Sequence, residues 1–291
     1  MASLITLRQR IKSIKNTRQI TQAMEKVSAV KMRRAQAAAL KSRRYAALAD
    51  EMVAALGVNA EKDTHAFLRV PERITRPAYL VFSSERGLCG SLNMRLVQQL
   101  LRSIETRGGA ESVSIYGAGR KVLSLAARAR IPIKADFGGV PAVPSLPDAR
   151  AIARLVATHY LNGEIDAVFL IFAKFRDTMT QTPVVQQLLP MIRPEKSGDA
   201  VREMRPDYRF EPSPREVLDN LLWRILELQI YQAMVEHNAS EHSARMVAMK
   251  NATDNIEDLL DTLTLAFNQT RQTGITREIA EISAGKAALE I

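Results

Sequence analysis

Several residues in this chain have the chemistry to run a reaction, and their spacing argues against each in turn. Gly87 to Gly90 and Gly117 to Gly119 each follow an apolar run and precede a helical one, which is where phosphate-binding turns sit. The second group lacks a third glycine at the fingerprint position, which holds Val122, and no G-x-x-x-x-G-K-[ST] occurs anywhere. Tight turns at helix starts are the plainer reading, with a nucleotide site as the rival. His237 and His242 are followed along the chain by no i, i+4 partner histidine, although Glu236 and Glu241 stand beside them. Zinc-binding helices need that spacing, so a solvated helix face is expected here. His65 and His159 stand alone. Cys89 is the single cysteine. It rules out an intramolecular disulfide, points to a reducing compartment, and reads as a packing residue rather than a nucleophile. No Ser/His/Asp or paired-carboxylate arrangement can be argued from spacing. No catalytic, cofactor-binding or metal-ligating residue is therefore assigned.

The elements that would have to position any such group are unusual. From 213 to 291 there is no proline after Pro214, and the only glycines are Gly274 and Gly285. Leu221, Ile225 and Leu228 recur at helical spacing, as do Ile256, Leu259 and Leu263, and then Ile275, Ile279 and Ile282. One unbroken helix there would be about 115 Å long. Residues 1–56 contain no glycine or proline at all, enough for a helix of about 80 Å. Leu4, Leu7, Ile11 and Ile14 open a seam that continues less cleanly through Ile20, Met24 and Val27. It turns alanine-rich from Ala35 to Ala39 and regains bulk at Tyr45, Leu48 and Met52 before a stop at Gly57. Arg18, Thr21 and Lys31 read as interruptions, so an irregular coiled coil is expected rather than a strict zipper.

The net charge of +10 is unevenly spread over the 291 residues. Residues 1–56 hold 12 Lys/Arg against 3 acids, while 215–291 hold 7 basic residues against 12 acidic. The two helices have opposite signs, as partners would. Binding to nucleic acid or to an anionic membrane surface are the rival uses of a basic helix. Its arginines are spread around the helix and aromatic interleaving is absent apart from Tyr45, so pairing with the acidic helix and facing acidic loops of a protein are preferred. No apolar run approaches the roughly 18 residues of a membrane span. The Arg-rich start also fits a transit peptide, but a cleaved presequence does not need a seam some fifty residues long.

Between the helices, strand and helix alternate. Strands are expected at 78–83, 112–116, 167–175 and 183–191, and helices at 92–106, 120–130 and 148–161, giving a small α/β domain with a largely parallel sheet. The expected organisation is an N-terminal shaft helix at 1–56, a linker at 57–77, an α/β head at 78–192, a return loop at 193–212 and a C-terminal shaft helix at 213–291. The fold class is α/β: a long antiparallel coiled coil of the terminal helices plus a Rossmann-like central domain. A globular unit of about 155 residues has a radius of gyration of roughly 15 Å, so both helices are expected to project side by side. The longer one overhangs by about 30 Å. Its apolar face, Ile275, Ile279 and Ile282, implies a socket in another protein.

Three stretches carry a family resemblance: 14–29 (IKNTRQITQAMEKVSA), 84–93 (SERGLCGSLN) and 240–255 (SEHSARMVAMKNATDN). In order and spacing they resemble the signatures of the gamma-subunit family of F-type ATP synthase, along essentially the whole chain. The resemblance implies a central rotor shaft with no catalytic residues of its own and no cofactor or metal. Its antiparallel helices would stand inside a ring of three alpha and three beta subunits, and its head would touch the epsilon subunit and the membrane ring of c subunits. Proton flow would turn the head, and ATP would be made or hydrolysed on beta. By residue match, Met24, Arg245, Gln272, Thr276 and Glu278 are expected to contact beta, and Arg245 has pairing with Glu241 as its bland alternative. Ser91 stands where a glycine is common, Arg277 where a glutamine is common, and Gly274 interrupts the helix near Gln272. The chloroplast family's inserted loop with its cysteine pair is missing, so thiol control is not expected. A peripheral position at the cytoplasmic face of a bacterial inner membrane is the expected setting, with neither nucleic acid nor a membrane span of its own.

Overall fold

Two helices account for much of the chain. In the structure, a computed structural model that describes residues 4–56, 65–107, 113–191 and 213–289, helix α1 runs over Leu4–Leu56 and helix α5 over Pro214–Leu289. Between them lie a 3-10 turn at Ala66–Leu68, then β1 (Pro77–Phe82), α2 (Leu92–Glu105), β2 (Ser114–Ala118), α3 (Arg120–Arg128), β3 (Ile133–Asp136), α4 (Leu146–Leu161), β4 (Ala167–Phe175) and β5 (Gln181–Leu189). The side chains of Tyr45, Leu48 and Met52, together with Gly57 and the expected return loop at 193–212, lie outside the described residues. Contacts divide the chain into two units, one drawn from Met1–Ser28 and Met246–Ile291, the other from Ala29–Arg245.

The larger unit is built on a five-stranded sheet of order β3-β2-β1-β4-β5. The pairings β1–β2, β1–β4 and β2–β3 are parallel, and β4–β5 is antiparallel. Strand β1 is buried along its whole length, as a central strand covered on both faces must be. Its side chains alternate. Ala78, Leu80 and Phe82 join one core with Val168, Leu170, α4 and the start of α5. Tyr79 and Val81 join the other with Phe169, Ile171, α2 and α3. The result is three layers, helix on sheet on helix, with α5 itself supplying part of one layer. Leu222, Leu226 and Ile230 are each 0% exposed, and burying a side chain of this size contributes about 2 kcal/mol.

Local rules explain most boundaries. Helix α4 begins at Leu146, two residues ahead of the expected start, because Asp148 accepts hydrogen bonds from the N–H (2.9 Å) and Oγ (2.6 Å) of Ser145 and Pro147 is tolerated in a first turn. The β4–β5 turn is closed by Asp177 Oδ1, which accepts from the N–H groups of Met179 (2.8 Å) and Thr180 (2.7 Å). Strand β3 was not legible in the sequence. It has four residues, lies at the sheet edge and is mostly exposed, so it carries neither length nor an apolar face to announce itself.

In the smaller unit the two helices run antiparallel. Arg18 reaches Glu257 at 3.0 Å, and three residues further along α1 the Thr21 hydroxyl meets Thr253, four residues earlier on α5, at 2.8 Å. The seam on α1 keeps an alternation of three and four residues through Leu4, Leu7, Ile11, Ile14, Arg18, Thr21, Glu25 and Ser28, all buried or half-buried, with Gln22, Met24 and Ala29 half-buried along its flank. That corrects the expected path. Ile20 and Val27 are 59% and 55% exposed, whereas Thr21 and Ser28 are 8% and 3% exposed. The period carries straight through the polar residues, because the facing helix covers positions and not residue types. The facing seam on α5 is Met249, Thr253, Ile256, Leu260, Leu263, Phe267 and Thr270. Leu259, expected in the seam, is 46% exposed while its neighbour Leu260 is 7% exposed.

Candidate partner-contact surfaces

In a doubly wound sheet, ligands bind outside the carboxyl ends of the strands where the strand order reverses. Here that point lies between β1 and β4, and the chain fills it with its own helix α5. His237 Nδ1 accepts from the Ala173 N–H at 3.4 Å, and Ser240 Oγ donates to the Ala173 carbonyl at 2.8 Å, at the end of β4. Ser243 Oγ donates to the Thr178 carbonyl at 2.7 Å, and Asn238 Nδ2 to the Pro141 carbonyl at 2.6 Å. The glycine turn after β2 is occupied as well. Gly119 has φ +110, and a Cβ there would lie 2.0 Å from the Ser83 carbonyl oxygen. Ser83 Oγ accepts from the Val122 N–H at 3.1 Å, so the start of α3 is capped by a serine in the place where a phosphate would sit.

The expectation for His237 and His242 fails. They are 0% and 7% exposed, and burial pushes both imidazoles down to about 4. For His242 the field of Glu241 acts upward against burial, while Arg245 and Lys31 add to the depression. A ring that accepts through Nδ1 from a backbone N–H carries its proton on Nε2, so His237 is a neutral packing element of the joint between α5 and β4. No group of three or more His, Cys, Asp or Glu among the described residues is placed to hold a metal ion.

Arg245 lies in this same enclosed stretch and is 8% exposed. Its Nη2 donates to Glu241 Oε1 at 2.6 Å and to the Arg86 carbonyl at 3.2 Å, and its Nε donates to the Gly87 carbonyl at 3.3 Å. The pairing with Glu241 is thus present, and the guanidinium also fastens the loop after β1. That loop is further held by Asn93, which donates from Nδ2 to Ser84 Oγ at 2.7 Å and to Cys89 Sγ at 3.1 Å. Cys89 is 2% exposed, in keeping with a packing role.

The other expected contact residues belong to the smaller unit and face outward. Met24 is half-buried beside the seam, and Gln272, Thr276 and Glu278 are exposed. Gln272 and Thr276 share a shallow depression with Gln269, Thr273, Arg277 and Ala280. From Arg271 to Lys286 every residue except Gly274 is exposed. Ile275, Ile279 and Ile282 are 48%, 60% and 72% exposed. Arg277 pairs along the helix with Glu281 at 2.9 Å. What sequence reasoning missed is the enclosed polar run from His237 to Arg245. Its only signal was a cluster of small and polar residues without a helical period, which reads the same as a solvated face.

A doubly wound unit whose ligand crevice is plugged by its own helix, together with a long antiparallel helical pair ending in an uncovered apolar face, marks a subunit built to work within a larger assembly. Comparison with known proteins names the assembly. The family model described as ATP synthase matches residues 3–289. ATP synthase gamma chains of Acidithiobacillus ferrooxidans and Pelotomaculum thermopropionicum are each 41% identical, over 99% and 100% of this chain and 100% of each relative. That of Glaesserella parasuis is 40% identical over 99% of this chain and 100% of its own length. Among solved structures, the central stalk and c-ring of the Tetrahymena thermophila mitochondrial ATP synthase matches with a TM-score of 0.60 at 22% identity, covering 80% of this chain and 99% of that one. An assembly of the Euglena gracilis mitochondrial enzyme that includes the c-ring matches with a TM-score of 0.70 at 18% identity, covering 98% of this chain and 94% of that one. The chain belongs to the ATP synthase gamma-chain family, the central rotor-stalk subunit that is not itself catalytic. No helix among the described residues is long and apolar enough to cross a membrane.

Proposed function

We propose that this chain turns as the central shaft of an F-type ATP synthase, carrying rotation driven by proton flow from the c-subunit ring to the beta subunits. The head, 78–192, engages epsilon and the c ring. The shaft helices, 1–56 and 213–291, stand within the ring of three alpha and three beta subunits, and the segments 57–77 and 193–212 connect them. The observation that carries this reading is the exposed run from Arg271 to Lys286, with Ile275, Ile279 and Ile282 uncovered on it. An apolar helix face of that extent calls for a protein sleeve.

The surface offered to beta is Met24, Gln272, Thr276 and Glu278. Arg245 belongs with them through the 86–87 backbone that its guanidinium holds, so that its contact with beta includes that loop. A shaft with unlike faces in a near-threefold ring touches each beta subunit differently. Those differences favour one form of the nucleotide site over another. Reversing a 1:99 population takes a differential of about 5.5 kcal/mol, which several charged and apolar contacts supply together. The setting is the cytoplasmic face of a bacterial inner membrane, with the chain peripheral to it, and the bacterial relatives support this. The test is co-expression with alpha and beta, with and without this chain. Rotation-competent ATPase activity should arise only when the chain is present, and equal activity in its absence overturns the reading.

A further inference from the structure

Helix α5 changes character at residues 233–245. Every residue there is buried except Glu241, which is half-buried. A helix enclosed on all sides is expected to be apolar all round, yet this stretch carries Glu236, His237, Asn238, Ser240, His242, Ser243 and Arg245. Five of them, His237, Asn238, Ser240, Ser243 and Arg245, bond to backbone. Ser240 holds the end of β4, Ser243 the β4–β5 turn, Asn238 the loop before α4, and Arg245 the loop after β1. At about 100° per residue, Asn238 and Arg245 leave the helix on one side, while His237, Ser240 and Ser243, each three residues apart, fan across the opposite side.

Apolar packing is non-directional and lets a smooth helix turn or slip in its groove. A hydrogen bond to a fixed carbonyl weakens steeply once its angle is lost. Bonds leaving on opposite sides therefore fix the angular setting of α5, and no rotation of the helix about its own axis keeps them all. The stretch that precedes them packs through Leu222, Leu226 and Ile230, and its polar ties, Glu227 to Arg150 at 2.9 Å and Asp219 to His65 at 2.7 Å, run to side chains and not to backbone. We propose that residues 237–245 are the torque-bearing joint of the stalk: they lock the angle of α5 in the α/β unit, so that turning the sheet turns the helix. Ser240 and Ser243 are positioning residues in this joint, acting through α5 without touching nucleotide or proton path. The proposal rests on the rotor-stalk reading.

The test uses the assembled synthase in sealed vesicles, with ATP hydrolysis and ATP-driven proton uptake measured on one preparation. The double variant Ser240→Ala, Ser243→Ala removes both hydroxyls and keeps helix and volume. It shifts the ratio of held to slipped helix by about tenfold or more. Hydrolysis should stay near the wild-type rate while protons moved per ATP fall severalfold, and the deficit should grow as an opposing proton gradient raises the load. Leu226→Ala is the counter-variant. It opens a cavity in the apolar stretch of the same helix and lowers the melting temperature more, yet it should keep the wild-type ratio at every load. An unchanged ratio in the double variant, or an equal loss in Leu226→Ala, overturns the joint while leaving the stalk reading intact. A wild-type chain that couples nothing overturns both.

Discussion

Lowering the pH should loosen the larger unit well above the range in which its carboxylates protonate, and His237 is the reason. Its ring is 0% exposed, and burial holds its proton affinity down to about 4 against an ordinary 6.5. The Ser83 backbone acts the other way, and Glu241 Oε2 lies 4.0 Å from Nε2. In the unfolded chain the imidazole takes its proton near 6.5. Between these values the unfolded state binds more protons than the folded one, so stability rises with pH and is lost as pH falls from 6.5 toward 4. At about 1.4 kcal/mol per pH unit, the whole window amounts to about 3 kcal/mol from this one ring. There is a structural counterpart. Protonation would place an Nδ1–H against the Ala173 N–H that this nitrogen now accepts from. His242, also pushed down to about 4, acts in the same direction. Asp166, held near 2 by Arg76 and Thr75 against the opposing effect of burial, loses its contribution only below the window. The assay is urea unfolding of the full chain at several pH values from 7.5 to 4.5, for wild type and His237→Gln. Wild-type stability should fall on acidification with the slope of up to two protons, and the variant should lose about one proton of that slope while being less stable at pH 7.5. Equal slopes in the two proteins would refute the assignment of a buried neutral imidazole.

Three further outcomes follow from single positions. Gly274 occupies the last half-buried position of the α5 seam, and a Cβ there meets nothing within 4 Å. Gly274→Ala should therefore stabilise the helix by about 1 kcal/mol, seen as a higher melting temperature by circular dichroism; a drop would mean that the backbone needs the glycine. Thr21→Val alone should cost about 1 kcal/mol, whereas Thr21→Val with Thr253→Val should be close to neutral, because the partnered hydroxyls leave together; additive losses in a double-mutant cycle would contradict this. Gly119→Ala forces a side chain at φ +110 into the Ser83 backbone, and should cost at least about 2 kcal/mol in chemical unfolding.

Which parts of the fold were legible follows from the range of each signal. A helical period is local, so both long helices could be read from spacing and from the absence of glycine and proline. The buried strands β1 and β4 are continuous apolar runs and were placed to within a residue or two, and the alternation with helices set the α/β class. Strand β3 escaped because an exposed four-residue edge has no such run. The seam of α1 was traced through Ile20 and Val27 by hydrophobicity, when its true course through Arg18, Thr21 and Ser28 follows strict heptad geometry.

From the residues alone came the kind of each element, the charge imbalance between the two helices and the family signatures, because these depend on neighbours along the chain. Only the packed structure decided which polar residues are covered. His237 and Arg245 carry the same local pattern as a solvated surface, and nothing in nearby sequence records that Ala173, Arg86 and Gly87, far away in the chain, will close over them. Burial is a property of what comes together across long sequence separations. Here it turned a run of polar helix residues into an enclosed part of the larger unit.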